Sequence, residues 1–465
     1  MEQSAKTGLD YAGGKITSLF FRIFFPTLMG MFFNTLLNLA DGIFIGNGVG
    51  ADGLAAVNII APLYMVSTGA GLMFGIGASV TAGILLSQGQ ERRACVAITQ
   101  ALAICVLIIT AILTAVFMFP DAVIRLLGSS DTLAPYAIEY LSWLAPAFFG
   151  LVFQCIGLMV IRLDGSPKYA MMTNVVPAIT NIVLDYVFIF PLGMGMKGAA
   201  IATSISCMIG VSMVLLYFFR FSYVLKLVWS PKHFGRNTGR QAYIGSSAFI
   251  TEIALSVMML TGNYVFSHYY GNSGIAAFSI ACYLFPLMFM VSNSVAQSAQ
   301  PIISYNYGTA TSSDGTSVVT RENAMGRVRG AFRLSIAVAT VCGVIIWALL
   351  ALASKAIVGM FIDPESTAGQ LAVHGLPVFG LCSVLFAENI NFIGFYQSTE
   401  KPALAVVYTL LRGIVFLVPS FILLPLVSPV WGMWAAIPVS ETATFIIIST
   451  CYLLTRKNIF APKHR

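Results

Sequence analysis

The stretch "GADGLAAV" (residues 50–57) returns as "GNSGIAAF" (271–278), the same Gly-x-x-Gly-aliphatic-Ala-Ala pattern at an offset of 221. An internal repeat is the feature to look for first, because missing one misreads the whole fold. Further matches follow in order. Pro167 pairs with Pro402 at an offset of 235, and Pro191-Leu192 pairs with Pro425-Leu426 at 234. Gly198, Ala202 and Ser206 pair with Gly432, Ala436 and Ser440, also at 234. One short match arises by chance; an ordered series at nearly constant offset does not. The chain reads as two homologous halves.

Composition says what the halves are made of. Of 465 residues, 58% are hydrophobic and 9% charged, and the mean hydropathy is +0.86. Soluble chains are about 45–50% apolar and about 25% charged, so this chain has too few charges to cover a water-facing surface. Its apolar runs are about 20 residues long, which suits membrane helices rather than the roughly 10-residue alternating strands of a barrel. Helices are expected at 16–40, 54–79, 95–119, 133–160, 169–190 and 197–219, then at 243–267, 275–305, 326–352, 370–396, 403–425 and 431–454. Six per half leaves both halves in one orientation, related by an axis along the membrane normal. Parallel repeats with a site near the midplane are a transporter architecture. The predicted fold is an all-α polytopic membrane protein with twelve transmembrane helices in two pseudo-symmetric six-helix lobes. Residues 1–219 form the N-lobe, 220–242 a basic cytoplasmic linker, and 243–465 the C-lobe with helices 7–12 and the tail.

With the N-terminus in the cytoplasm, 21 of the 25 Lys and Arg residues fall in cytoplasmic segments. Arg125, Lys197 and Lys355 fall outside, and Arg412 lies within helix 11. This is a positive-inside distribution, so both termini are expected in the cytoplasm. The net charge of +7 then calls for no nucleic-acid partner. Residues 1–15 are polar, without the short apolar region and cleavage site of a leader, so the first apolar run is expected to be a retained helix. The expected location is the inner (cytoplasmic) membrane of a bacterium or archaeon. The eight cysteines stand singly with no metal-ligand spacing, so neither disulfides nor zinc are expected, and no cofactor.

Polar residues recur on single helix faces, where positions i, i+4 and i+7 align. Helix 1 carries Asn34, Asn38 and Asp41; helix 5 carries Asn174, Asn181 and Asp185, with Pro177 on the same face. Helix 8 carries Asn293, Gln297, Gln300 and Ser304. Glu252 goes with Ser256 on helix 7, Glu388 with Asn391 on helix 10, and Glu441 stands on helix 12. Such stripes either hold helices together by hydrogen bonds or line a wet cavity. Asn34, Asn38, Gln154, Asn174, Ser256, Asn293, Gln297 and Gln300 are the candidates for a substrate cavity. An aspartate at a helix centre costs about 2.5–3.5 kcal/mol on insertion scales, which points Asp185 toward a use. Glu441 reads mainly as neutralising Arg412, and Gly71 with Gly75 as a packing pair. The acids do not repeat. Asp41 corresponds to Asn263, Asp185 to Pro419, and Glu388 to Gln154, which suggests a cation site specialised to the N-terminal half.

Two carboxylates can bind a proton. With amide and hydroxyl oxygens they can instead coordinate Na⁺, by extension of the oxygen-ligand rules for hard cations. One charge moving through 100 mV yields about 2.3 kcal/mol, enough for a roughly 50-fold substrate gradient at about 1.4 kcal/mol per tenfold. No Gly-x-x-x-x-Gly-Lys-[Ser/Thr] loop occurs, so ATP is not the expected energy source.

The segments "NLADGIFIGNGVGADGLAAVNIIAP" (38–62) and "TNIVLDYVFIFPLGMGMKGAAIATSIS" (180–206) resemble the multidrug and toxic compound extrusion (MATE) family, and the resemblance extends over nearly the whole chain. It implies secondary active export of cationic amphipathic drugs by alternating access, coupled to H⁺ or Na⁺. In the family's DinF-like prokaryotic branch, the N-lobe cation site uses an aspartate on helix 1, an asparagine and an aspartate on helix 5, and a threonine on helix 6. The matching residues are Asp41, Asn181, Asp185 and Thr203, where a Na⁺ would sit. Pro26 matches a helix-1 proline associated with bending, making it the expected hinge. The NorM-like branch uses acids on helices 7 and 10, which brings in Glu252 and Glu388, the latter where that branch has aspartate. The expected partners are small cationic drugs and the bilayer, for a monomer that is not an enzyme. The alternative is a flippase for a lipid-linked saccharide or another amphipathic lipid. Such a protein is expected to line its cavity with several Lys or Arg, whereas Arg412 is the one basic residue placed mid-membrane.

Overall fold

In the computed structural model, residues 8–127, 134–312 and 318–460 are described, and their regular structure is helical. The N-terminal half contains α1 (Ile16–Gly48), α2 (Ala51–Ser87), α3 (Glu91–Met118), α4 (Ala134–Leu163), α5 (Pro167–Ile189) and α6 (Gly195–Leu216). The segment Phe234–Thr311 holds two helices, α7 before Gly271 and α8 after it, where the backbone turns at φ 54 and ψ −138. Then come α9 (Val318–Leu352), α10 (Thr367–Ser398), α11 (Pro402–Val427) and α12 (Pro429–Phe460). Eleven continuous segments are long and apolar enough to cross a membrane. Since Phe234–Thr311 contains two spans, the twelve expected helices are all found among the described residues.

The repeated glycines have a definite job. Gly50 (φ 96) and Gly271 (φ 54) each separate the first helix of a half from the second. Both adopt positive φ, which glycine reaches without the steric penalty of a Cβ. Neither would bring a Cβ within 4 Å of another residue, so backbone conformation and not space demands glycine there.

Two sequence expectations need correction. Helix 1 was expected to end at residue 40, but α1 continues to Gly48, so Asp41 lies inside the helix. Ile43, Phe44 and Ile45 carry the helix onward past Asp41 and Gly42. The second correction concerns helix 7, expected to begin at 243, which begins within the 220–242 connection. A π turn, Tyr217–Phe221, ends α6, residues 223–231 run without helix, and α7 begins at Phe234.

The chain divides into two compact units, Met1–Phe249 and Ile250–Arg465. In the first, α2 packs on α4, α4 on α6, and α1 on α5. Small residues permit close approach. A Cβ on Gly71 would stand 2.9 Å from the Cys155 Cβ, and one on Gly75 would stand 3.0 Å from the Cys155 carbonyl oxygen. In the second unit, Phe266 stacks on Phe278 at 4.7 Å and meets Trp434 edge-on at 5.0 Å, in a core shared by α7, α8, α10 and α12.

Asp164 ties the connection to the first unit. This fully buried carboxylate accepts from the Tyr217 hydroxyl (2.8 Å) and from the backbone N–H of Tyr223 (2.7 Å), Val224 (3.0 Å) and Leu225 (3.1 Å). Further along, Val228 N–H donates to Thr99 on α3 (2.9 Å), and Gln100 donates to the carbonyl of Ser230 (2.7 Å). Gln241 then donates to the Ala97 carbonyl (2.9 Å), so the start of α7 is held on α3 as well. Hydrogen bonds to a charged group contribute about 1.5–3 kcal/mol, and an abandoned buried donor costs about 1–3 kcal/mol. Asp164→Ala is therefore expected to raise amide exchange selectively across residues 222–228 and to lower the melting temperature. Wild-type exchange in that segment would contradict the assignment.

Candidate functional site

A cavity of about 270 Å³ opens inside the first unit, and the polar stripes of α1 and α5 converge on it. Helix α1 contributes Asn34, Asn38 and Asp41, and α5 contributes Asn174, Pro177 and Asn181. Gln154 enters from α4, with Thr203 and Ser206 from α6. Helical spacing explains the convergence: each stripe lies on one face, and these faces turn toward each other rather than toward lipid.

Asp185 stands behind this lining, with 0% of its surface exposed and Asn181 at 1% in front of it. The Asn181 amide is oriented by its neighbours. Its nitrogen donates to Asp185 Oδ2 (2.8 Å), while its oxygen accepts from the Thr203 backbone N–H (3.1 Å). The Thr203 hydroxyl donates to the Ala199 carbonyl (3.0 Å), which leaves its lone pairs for another partner. Asp41 and Asp185 are close enough for their charges to repel. Each keeps one buried oxygen, Oδ1, without a hydrogen-bond partner. Buried polar atoms are ordinarily satisfied, so two such atoms in one place call for an explanation.

Pro177 shapes the same face. It has no N–H, so the carbonyl of Thr173, four residues earlier, loses its helical partner. Gln154 donates to that carbonyl (3.3 Å), and Gly210 on α6 leaves the room its side chain occupies. Thus Gln154 repairs a helix while presenting its amide to the cavity.

Two residues that sequence reasoning missed also line it, Tyr64 and Tyr140. The Tyr140 phenol lies within electrostatic reach of both Asp41 and Asp185. A signal for it existed: Tyr140, Leu144, Leu151 and Gln154 are spaced 4, 7 and 3, one face of α4.

The candidates on α7, α8, α10 and α12 belong to the second unit and do not line this cavity. Ser256 lies near Glu252 on α7, and both are partly exposed. Asn293 donates to the Phe289 carbonyl of its own helix (3.0 Å), while Gln297, Gln300 and Ser304 are buried along α8. Glu388 accepts from the Thr340 hydroxyl on α9, and its second oxygen has no partner. Asn391, three residues on from Glu388 in α10, donates to the Ala387 carbonyl of its own helix (2.9 Å). Glu441 pairs with Arg412 as expected (2.9 Å) and also accepts from Asn389 (2.7 Å). The Arg412 guanidinium covers the Phe386 ring at 4.2 Å. Pro26 lies within α1, which continues through it.

The family model described as MatE matches residues 26–187 and 247–422, one block in each half. A FAD transporter of Shewanella oneidensis is 23% identical over 446 residues, 93% of this chain and 92% of that protein. The multidrug export protein MepA of Staphylococcus saprophyticus is 23% identical over 436 residues, 92% of each chain. Among solved structures, an outward-facing multidrug resistance MATE family transporter of the MOP superfamily superposes with a TM-score of 0.88 at 22% identity, covering 98% of this chain and 99% of that one. A MOP superfamily transporter from Pyrococcus furiosus, described as having a binding pocket of reversed polarity, gives 0.85 at 23% identity and 98% coverage of each chain.

The Arg412–Glu441 pair is satisfied on both sides and reads as structural. Breaking such a pair by removing one partner typically costs about 3–5 kcal/mol, because the remaining charge is stranded. Glu441→Leu is expected to lower the thermal midpoint of the detergent-purified protein sharply. Adding Arg412→Met should recover most of the loss. A double variant no more stable than the single one would contradict this reading.

Proposed function

The chain belongs to the MatE family, and from that premise we propose a multi-pass membrane exporter that couples entry of H⁺ or Na⁺ to outward movement of cationic amphipathic compounds. The observation that carries this reading is the pair of unpartnered buried oxygens on Asp41 and Asp185, beside Asn181 and Thr203. Unsatisfied carboxylate oxygens next to amide and hydroxyl oxygens suit a proton or a hard cation. The relative named as a multidrug export protein supports drugs as the cargo.

The relative named as a FAD transporter raises a different cargo, an anionic dinucleotide. The composition of the cavity favours a cation. Its lining holds Asp41 and the phenols of Tyr64 and Tyr140, and no Lys or Arg. An aromatic face attracts a cation, and a carboxylate repels a phosphate.

Ion and drug act on one conformational equilibrium. The ion shifts it only by its differential affinity for the two states, so a bound ion that offsets the Asp41–Asp185 repulsion favours the state that closes around them. Drug release then follows ion entry from outside, and ion release to the cytoplasm resets the protein. Thr203 and Asn181 hold the site open to either ion, and Pro26 supplies a position where α1 can bend. The proposed setting is the inner membrane of a prokaryote, with the protein acting as a monomer.

The test is efflux of a fluorescent organic cation from proteoliposomes, with proton and sodium gradients imposed separately. One gradient should drive efflux in the wild type, and Asp185→Asn and Asp41→Asn should each abolish it while leaving protein yield and thermal midpoint near normal. Wild-type efflux by Asp185→Asn, or no efflux under either gradient, would overturn the proposal.

A further inference from the structure

A second cavity, of about 470 Å³, lies in the C-terminal unit far along the sequence from the proposed ion site. It is lined by Arg329, Arg333 and Ile336 of α9 with Phe332, by Phe392 of α10, and by Tyr452 and Arg456 of α12. Arg329, Arg333 and Ile336 are spaced 4 and 3, so they form one stripe on α9. All three guanidinium groups lie within electrostatic reach of the Tyr452 hydroxyl. The lining contains three arginines and no carboxylate.

The floor is apolar. Phe332 lies 5.2 Å from Phe392 and 5.5 Å from Tyr452, and Phe392 lies 5.5 Å from Tyr452, ring centre to ring centre. Phe332 and Phe392 are buried, whereas the three arginines are exposed. The pocket is thus cationic at its mouth and aromatic at its base. It also has a definite depth. Arg329 and Arg333 lie about three and four turns into α9, at the beginning of the apolar span expected over 326–352, with Phe392 near the end of α10 and Arg456 near the end of α12. By the positive-inside rule these three helix ends meet the cytoplasmic leaflet.

We propose that this pocket binds the phosphate headgroup of an anionic phospholipid of the cytoplasmic leaflet. Arginine forks match phosphate oxygens bidentately, and basic pockets between membrane helices on the cytoplasmic side suit anionic headgroups. The aromatic base decides between a lipid and a free anion. Inorganic phosphate would use the arginines and leave the rings idle, whereas a phospholipid brings its glycerol and first methylenes to Phe332, Ile336 and Phe392. Ile336 and Phe392 are each one helical turn from the hydrogen-bonded pair Thr340 and Glu388. A lipid seated there braces α9 against α10 next to that buried acid.

Native mass spectrometry of the full chain, released from detergent with phosphatidylglycerol or phosphatidylcholine of equal acyl length, reads the site directly. The wild type should retain phosphatidylglycerol in preference to phosphatidylcholine. Arg333→Gln with Arg456→Gln should weaken that retention roughly 30-fold. Arg236→Gln with Arg240→Gln, which removes two charges from α7 outside the pocket, should leave it unchanged. Arg456→Gln alone, at the exposed end of α12, serves if the double variant does not fold. Undiminished phosphatidylglycerol retention in the pocket variants overturns the proposal. So does equal retention of the two lipids, or full displacement of phosphatidylglycerol by millimolar inorganic phosphate, which would mark a free-anion site.

Discussion

A polar atom inside a bilayer has no water to turn to, so it must find a partner in the protein or be kept for a purpose. The buried acids of this chain divide along that line. Glu441 is fully answered by Arg412 and Asn389, with Phe386 beneath the guanidinium. Asp164 is answered by a hydroxyl and three backbone amides. Asp41, Asp185 and Glu388 each keep a buried oxygen without a partner. The first two hold structure together. Asp41 and Asp185 stand close enough for their charges to repel.

The same constraint accounts for Pro177 and Gln154. A proline in a membrane helix frees a carbonyl, and the freed carbonyl of Thr173 draws the Gln154 amide across from α4. Gly210 makes the approach feasible. One break in the α5 ladder thereby orders a second helix and brings an amide to the cavity wall. Repeat symmetry is spent differently in the two halves. Gly50 and Gly271 keep the same reversing role at equivalent positions. Asp41 and its counterpart Asn263 each keep a buried oxygen without a partner, but only the first carries charge. Glu388 is the counterpart of Gln154, and it takes a hydroxyl from Thr340 rather than repairing a helix.

Much of the candidate site was legible in the sequence, because helical period fixes which residues share a face. Asn34, Asn38 and Asp41 on one helix, and Asn174 and Asn181 on another, were read from spacing and do line one cavity. Tyr140 was missed, since an aromatic in a membrane run carries no polar flag. Asp164 was missed for another reason. An Asp-Gly pair between helices reads as an ordinary turn, and its donors lie 53 to 61 residues away in the chain. Spacing puts Asn391 on the face of Glu388 but does not say where its amide goes; a short amide in a helix can turn back to its own i−4 carbonyl, as this one does.

Sequence by itself determined the class: composition demanded a bilayer, the repeat demanded two like halves, and the period of the stripes chose the inward faces. Those are properties of local order and of averages, and no neighbour can change them. Tertiary structure decided which inward faces meet. It set Asn181 between Asp185 and Thr203, left the two Oδ1 atoms without donors, and gathered three arginines over an aromatic floor. Each of those depends on helices distant in the chain arriving at one place, and whether a polar atom is satisfied is known only once every neighbour has arrived.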